Sequence, residues 1–195
     1  MNTTAMTRTA STLTIVGALL PVTFAVAVLL PPAGHPDTWA YPTAPWLFAV
    51  LSVLLAVAHL LVLAGFVAVA RTTTGAARVF AWVGALGTLL VAAAEVWSAF
   101  IATEPAAGSA AETLSYLYTA SSLLIIVGSI GAGVALLRTW RDAGFALLVS
   151  GAYLLLIATP VLIIADAVTR TIVLTIWGLI YVWLGLALRR STRHP

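Results

Sequence analysis

Six apolar stretches of about 20 residues, none broken by a run of charges, constrain this chain more than anything else in it. They fall at residues 11–30, 45–70, 77–102, 114–137, 145–164 and 172–188 of a 195-residue sequence. A helix of that length crosses a hydrocarbon core of about 30 Å. The stretches use about 120 positions and leave only short connectors, with no room for a folded extramembrane domain. The expected fold class is therefore all-α: one domain over residues 1–195, an integral membrane bundle of six transmembrane helices. Composition agrees, being 62% hydrophobic and 8% charged where soluble domains have about half and about a quarter.

The charge pattern tests the helix count. Six helices put Arg8, Arg71, Arg78, Arg138, Arg141, Arg189, Arg190 and Arg193 on one side and Arg170 alone on the other. Adding or removing a helix destroys that asymmetry, so the positive-inside rule predicts a cytoplasmic N-terminus and C-terminus in a multi-pass protein of the inner membrane. The first stretch resembles a signal peptide behind Arg8, but its apolar core of about 18 residues exceeds the usual 7 to 15 and no small-x-small cleavage site follows; an uncleaved helix is expected. Trp39, Tyr41 and Trp46 outside and Trp140 inside fall where interfacial aromatic belts form. Pro21 and Pro160 are expected to kink the first and fifth helices.

Absent residue types exclude whole classes of chemistry. With no cysteine there are no disulfides, thiolate metal sites, iron–sulfur clusters or thiol nucleophiles. All nine basic residues are Arg, which removes a retinal Schiff base and a phosphate-loop lysine. The Arg residues stand in ones and twos and form no basic face interleaved with aromatics, so they read as topology and not as a nucleic-acid site. His59 is the one histidine within a stretch, which excludes two-histidine haem ligation, and a zinc site lacks further ligands. No cofactor and no metal is expected.

Helices in lipid associate through small and polar residues, so polar stripes mark protein-facing sides. Ser52 and His59 are seven apart on the second helix; Thr88 and Glu95 are seven apart on the third, with Ser98 one turn on. Ser115, Thr119, Ser122 and Ser129 form the fourth-helix stripe, and Thr171, Thr175, Gly178 and Gly185 the sixth. These four faces are expected to meet. Most of the small residues, including Ser129 and Gly133, serve close packing.

Glu95 is the sharpest feature, because an ionisable group within a span costs about 2.5–3.5 kcal/mol on insertion scales and marks a functional site by default. It is expected eight residues, or about 12 Å, below the outer end of its span, at a depth shared by Thr119, Ser122, Thr159 and Trp177. The reading is an outer-half pocket in which Glu95 is a neutral acid, Ser98, Thr119 and Ser122 position it, and Trp177 and Tyr181 line an apolar wall. His59 is expected deeper, near mid-membrane, as a further lining residue or a proton relay. Asp166 and Arg170 are expected to pair at the outer end of the last helix.

Residues 59–71 (HLLVLAGFVAVAR), 94–100 (AEVWSAF) and 128–138 (GSIGAGVALLR) resemble small actinobacterial multispanning membrane proteins of unknown function. That resemblance implies the topology and the inner-membrane address. A more distant likeness is to integral-membrane terpene cyclases, which use buried acids to protonate a polyprenyl substrate and carry one helix more than the six read here. It implies that Glu95 matches such an acid and Asp166 a second. Three functions follow as expectations: binding or acid-catalysed conversion of a small lipophilic ligand, a proton-coupled carrier using Glu95 and His59, or a non-catalytic subunit. The lipid bilayer is the expected partner in each, and the sequence leaves the oligomeric state open.

Overall fold

A computed structural model describes residues 3–28 and 32–191; Arg193 and the expected end of the first stretch at residues 29–30 lie outside the described residues. The elements are α1 (Thr3–Leu19), α2 (Pro21–Val28), α3 (Pro45–Thr72), α4 (Gly75–Phe100), α5 (Ser109–Leu136), α6 (Arg141–Tyr153), a π-helical turn (Leu154–Ala158), α7 (Thr159–Ile164) and α8 (Ala167–Ser191). Taken end to end they make six helices long and apolar enough to cross a membrane: Thr4–Ala27, Pro45–Thr72, Gly75–Phe100, Ser109–Leu136, Arg141–Ile164 and Val168–Ser191. No strand forms among the described residues, only an isolated bridge between Thr38 and Pro105.

Both prolines act where expected. Pro21 lacks the N–H that would continue α1, and α2 restarts there, with Thr23 Oγ1 donating to Leu20 O at 2.6 Å. Pro160 follows the π turn, where Thr159 Oγ1 donates to Leu154 O at 2.8 Å. A hydroxyl thus partners a carbonyl beside each break, as lipid requires.

The six spans close into a ring. Each packs on its neighbours in sequence, α3 on α4, α4 on α5 and α5 on α6, and α8 returns to α1, α2 and α6. Small residues permit the tightest approach, between α4 and α5. A Cβ added at Gly128 would fall on the backbone nitrogen of Gly84 and lie 2.5 Å from Gly84 Cα. Phe66, Tyr181, Leu184 and Ile125 fill the middle of the ring and are all buried. Outward faces carry exposed Val, Leu and Ile, such as Val53, Leu86, Leu123 and Leu156. In water such a belt would be an aggregation surface; against lipid it is the solvated face.

Connector parity follows. Residues of both chain ends, Thr4 and Arg190, and of the connectors after α3 and α5, Thr74 and Thr139, line one cavity. The other two long connectors meet at the opposite end, where Trp39 N donates to Glu104 O at 2.9 Å, Ala40 N to Ala102 O at 3.1 Å and Ala106 N to Asp37 O at 2.8 Å. We call these the Arg-rich end and the far end.

The expected meeting of four polar stripes is only partly realised. The small-residue face of α8 is turned to α1: an added Cβ at Gly185 would lie 3.1 Å from Ser11 O, and one at Gly178 would lie 3.5 Å from Ala18 O. Ser11 Oγ donates to Gly185 O at 2.7 Å across the same contact. Glycine at those positions serves the α1–α8 seam, which a stripe read one helix at a time does not reveal.

Beyond the π turn the ring loosens. Among the described residues α7 packs only on that turn and on α8, and none of its residues is buried. A π turn and a proline together redirect the fifth span, so α5 keeps α4 as its close neighbour there. Ser115 and Thr119, on the α5 flank that α6 covers nearer the Arg-rich end, are consequently exposed.

Candidate functional site

Glu95 lies at the centre of the inward stripe of α4. Thr88, Val91 and Ser98, each one or two turns away, are buried, while Glu95 itself is partly covered. The helix ends at Phe100, with Ile101 N donating to Trp97 O at 3.3 Å. Glu95 is thus five residues from the helix end, about 7.5 Å at 1.5 Å per residue. That is shallower than the sequence suggested, because the connector turns begin earlier than its apolar character implies.

A chain of polar side chains leads to this carboxyl. Trp39 Nε1 donates to Ser98 Oγ at 2.7 Å. The Tyr118 hydroxyl, on α5, lies beside both Ser98 and Glu95. Beneath the connectors a small apolar cluster of Ala94, Ile101, Ala111 and Leu114, flanked by Trp39 and Tyr118, holds the rings in place. Trp39 is therefore tied into the packing beneath the connectors, whereas Trp46 is 71% exposed.

Ser98 joins Glu95 as expected. Thr119 does not: it is exposed and its hydroxyl donates to Ser115 O at 2.9 Å within its own helix. Ser122 is partly buried on the inward stripe. The residue that reaches Glu95 is Tyr118, which the sequence reading missed. Its signal was present, since Ser115, Tyr118, Ser122 and Ser129 keep 3, 4 and 7 spacing, and a phenol at Tyr118 reaches farther than a hydroxyl at Thr119.

A second cluster forms around α8. Trp177 Nε1 donates to Ser150 Oγ at 3.0 Å; its ring meets Tyr181 edge-on at 5.4 Å and His59 at 6.4 Å between centroids. Tyr181 stands against Phe66 at 5.9 Å and its hydroxyl faces Ser150 and Ser129. His59 Nδ1 lies 2.8 Å from Leu55 O, so one ring nitrogen is occupied within its own helix. His59, Trp177 and Tyr181 come together as a packed aromatic group. No contact joins them to Glu95 among the described residues. Ser150 holds the indole N–H that burial obliges to find a partner. Ser52 Oγ and Ser129 Oγ are buried without a hydrogen bond.

Asp166 is exposed ahead of α8 and caps it, accepting from Thr169 N at 3.0 Å and Thr169 Oγ1 at 2.9 Å. These bonds to the charged form hold its carboxyl below the usual value. It makes no ion pair with Arg170 among the described residues; the cap satisfies orphan N–H groups of the helix start, which a solvated i, i+4 pair cannot do. Groups of three or more His, Asp or Glu able to hold a metal are absent among the described residues.

A cavity of about 870 Å³ lies at the Arg-rich end, away from Glu95, bounded by Thr72, Thr74, Thr139, Arg141, Asp142 and Arg190 among others. Set against protein-family models, curated proteins and solved structures, the chain finds no match.

Proposed function

We propose that this is a multi-pass membrane protein that binds, and converts by acid chemistry, a small lipophilic molecule reaching Glu95 from the bilayer. One observation carries the reading. Glu95 stands mid-stripe on the inward face of α4, beside Tyr118, and is only partly covered. An intramembrane carboxyl marks a functional site by default, and in its neutral form it can donate a proton or a hydrogen bond. Ser115 and Thr119 are exposed and Ser122 is partly buried on the neighbouring helix, which suits an apolar molecule with one polar group. Tyr118, fed by Ser98 and Trp39, is placed to restore the hydrogen-bond balance of a carboxyl that has given up its proton.

The Arg distribution supports placing the Arg-rich end in the cytoplasm and the Glu95 end outward. The carrier reading needs a path joining Glu95 to His59, and His59 is engaged by Leu55 O and the Trp177 ring instead. The subunit reading has Glu95 paired to another chain, whereas Tyr118 of the same chain meets it.

The test is purification of the wild type and Glu95→Gln from membranes, followed by mass spectrometry of extracted lipophilic molecules. A species retained near one per chain by the wild type and lost from a folded E95Q variant is the expected result. Identical extracts from the two proteins would sink the proposal.

A further inference from the structure

We infer that the cavity at the Arg-rich end is a binding site for an organic phosphate, a phosphate mono- or diester carried by a soluble molecule or by a phospholipid head group. The inference is independent of the Glu95 reading, since none of the Glu95 partners lines this cavity. Three features support it. The first is size: about 870 Å³ lies within the range of about 300–1,000 Å³ typical of small-molecule sites, and exceeds what inorganic phosphate would fill.

The second is charge. Seven described arginines, Arg8, Arg71, Arg78, Arg138, Arg141, Arg189 and Arg190, stand at this end, and Asp142 is the one described acid there. That field draws anions. Two of the guanidiniums, Arg141 and Arg190, line the cavity itself. Arg141 lies over the Phe145 ring at 5.5 Å and is exposed. Arg190 Nη1 meets Asp142 Oδ2 at 3.2 Å, but their side chains are 67% and 50% exposed. A pair so hydrated is weak and easily re-partnered, and the guanidinium fork matches two phosphate oxygens at once.

The third is a supply of neutral donors beside those arginines. Thr74 precedes α4 without using its side chain as a cap, and Trp140 precedes α6 in the same way. Thr74 and Thr139, both exposed, line the cavity with their hydroxyls beside two helix starts that no side chain caps. Anions gain from such helix starts when cationic side chains hold them there. Thr72 and Thr73 contribute less, because their hydroxyls already donate to Ala68 O and Val69 O at 2.7 Å.

The full chain in phosphatidylcholine nanodiscs provides the test. Equilibrium dialysis with radiolabelled glycerol 3-phosphate probes the soluble source, and native mass spectrometry after addition of short-chain phosphatidylglycerol probes the lipid source. Saturable binding of either probe, weakened at least tenfold by Arg141→Gln and by Arg190→Gln but less than twofold by Arg78→Gln, is expected. Arg78 is exposed at the same end and does not line the cavity. Circular dichroism and a monodisperse elution profile check each variant, and Arg141→Gln carries the result if Arg190→Gln does not fold. Absence of saturable binding by both probes, or equal weakening by Arg78→Gln, which would mean diffuse attraction with no site, overturns the inference.

Discussion

Deleting the Tyr118 hydroxyl tests whether the Glu95 centre is an energetic unit. Tyr118→Phe keeps the ring that packs on Ala94 and Leu114 and removes only the group that meets Ser98 and Glu95. Interhelical side-chain hydrogen bonds in membranes average about 0.6 kcal/mol and reach about 1.7, while bonds to an ionised group are worth about 1.5–3 kcal/mol. The neutral carboxyl of the proposed function would place the pair in the lower range. The double-mutant cycle of Tyr118→Phe with Glu95→Leu should accordingly give a coupling of about 0.6–1.7 kcal/mol. Reversible unfolding in mixed micelles reads it. Tyr116→Phe is the control: its hydroxyl donates to Glu112 Oε1 at 3.1 Å on the exposed side of the same helix, and its loss should stay within about 0.5 kcal/mol. A Tyr118–Glu95 coupling indistinguishable from zero would refute the reasoning, because the phenol and the carboxyl would then be neighbours without being partners.

Other expectations follow from the same geometry. Gly128→Ala drives a Cβ into the Gly84 backbone, and since neither helix can yield locally, a loss of about 1–3 kcal/mol is expected in the same unfolding assay; an unchanged midpoint would contradict the close α4–α5 approach. Trp39→Phe removes the donor to Ser98 Oγ and should raise hydrogen exchange at the Trp39, Ala40 and Ala106 amides by severalfold, whereas unaltered exchange would show that the connectors hold without that bond. Asp166 has its carboxyl held below the ordinary value by Thr169, so its cap is intact at neutral pH and is lost as the pH falls through the lowered value. The protection factor of the Thr169 amide, its exchange rate corrected for the intrinsic pH dependence, should fall in acid in the wild type, and Asp166→Ala should show the low protection already at neutral pH. Because the chain has no cysteine, single Thr74→Cys and Ala107→Cys variants report topology cleanly. An impermeant maleimide on intact cells should label Ala107→Cys alone, and labelling of Thr74→Cys instead would invert the proposed orientation.

Much of the architecture was legible in the sequence because lipid simplifies folding. Length and apolarity alone set the six spans, and the parity implied by the Arg residues matches the cavity that gathers Thr4, Thr74, Thr139 and Arg190. Which faces meet was less legible. Stripe reasoning treats every inward face as pointing to a common centre, but Gly178 and Gly185 serve the α1–α8 seam. The centre was half read: Glu95 and Ser98 were found as polar residues out of place, while Tyr118 and Trp39 passed as ordinary aromatics whose polar atoms show their role only once a partner is in view. Thr119 was misjudged for a related reason, since a hydroxyl on a helix is satisfied by its own carbonyl four residues back unless a neighbour covers it, and α7 turns away where that neighbour would stand.

The two ends of the bundle differ in the kind of molecule they suit, and the middle keeps them apart. At the far end a run of polar side chains extends from Trp39 through Ser98 and Tyr118 to Glu95. At the Arg-rich end the polar groups are cationic and wet. Between them Phe66, Tyr181 and Leu184 are buried and packed on one another, with Trp177 locked by Ser150. A carrier must pass water or substrate through that layer, and each such passage would unstack rings whose only polar atoms already face serines. The buried hydroxyls of Ser52 and Ser129 make no hydrogen bond. An apolar ligand confined to the outward half and an anion confined to the opposite mouth require no such passage, which is why separate sites account for this arrangement better than one pathway does.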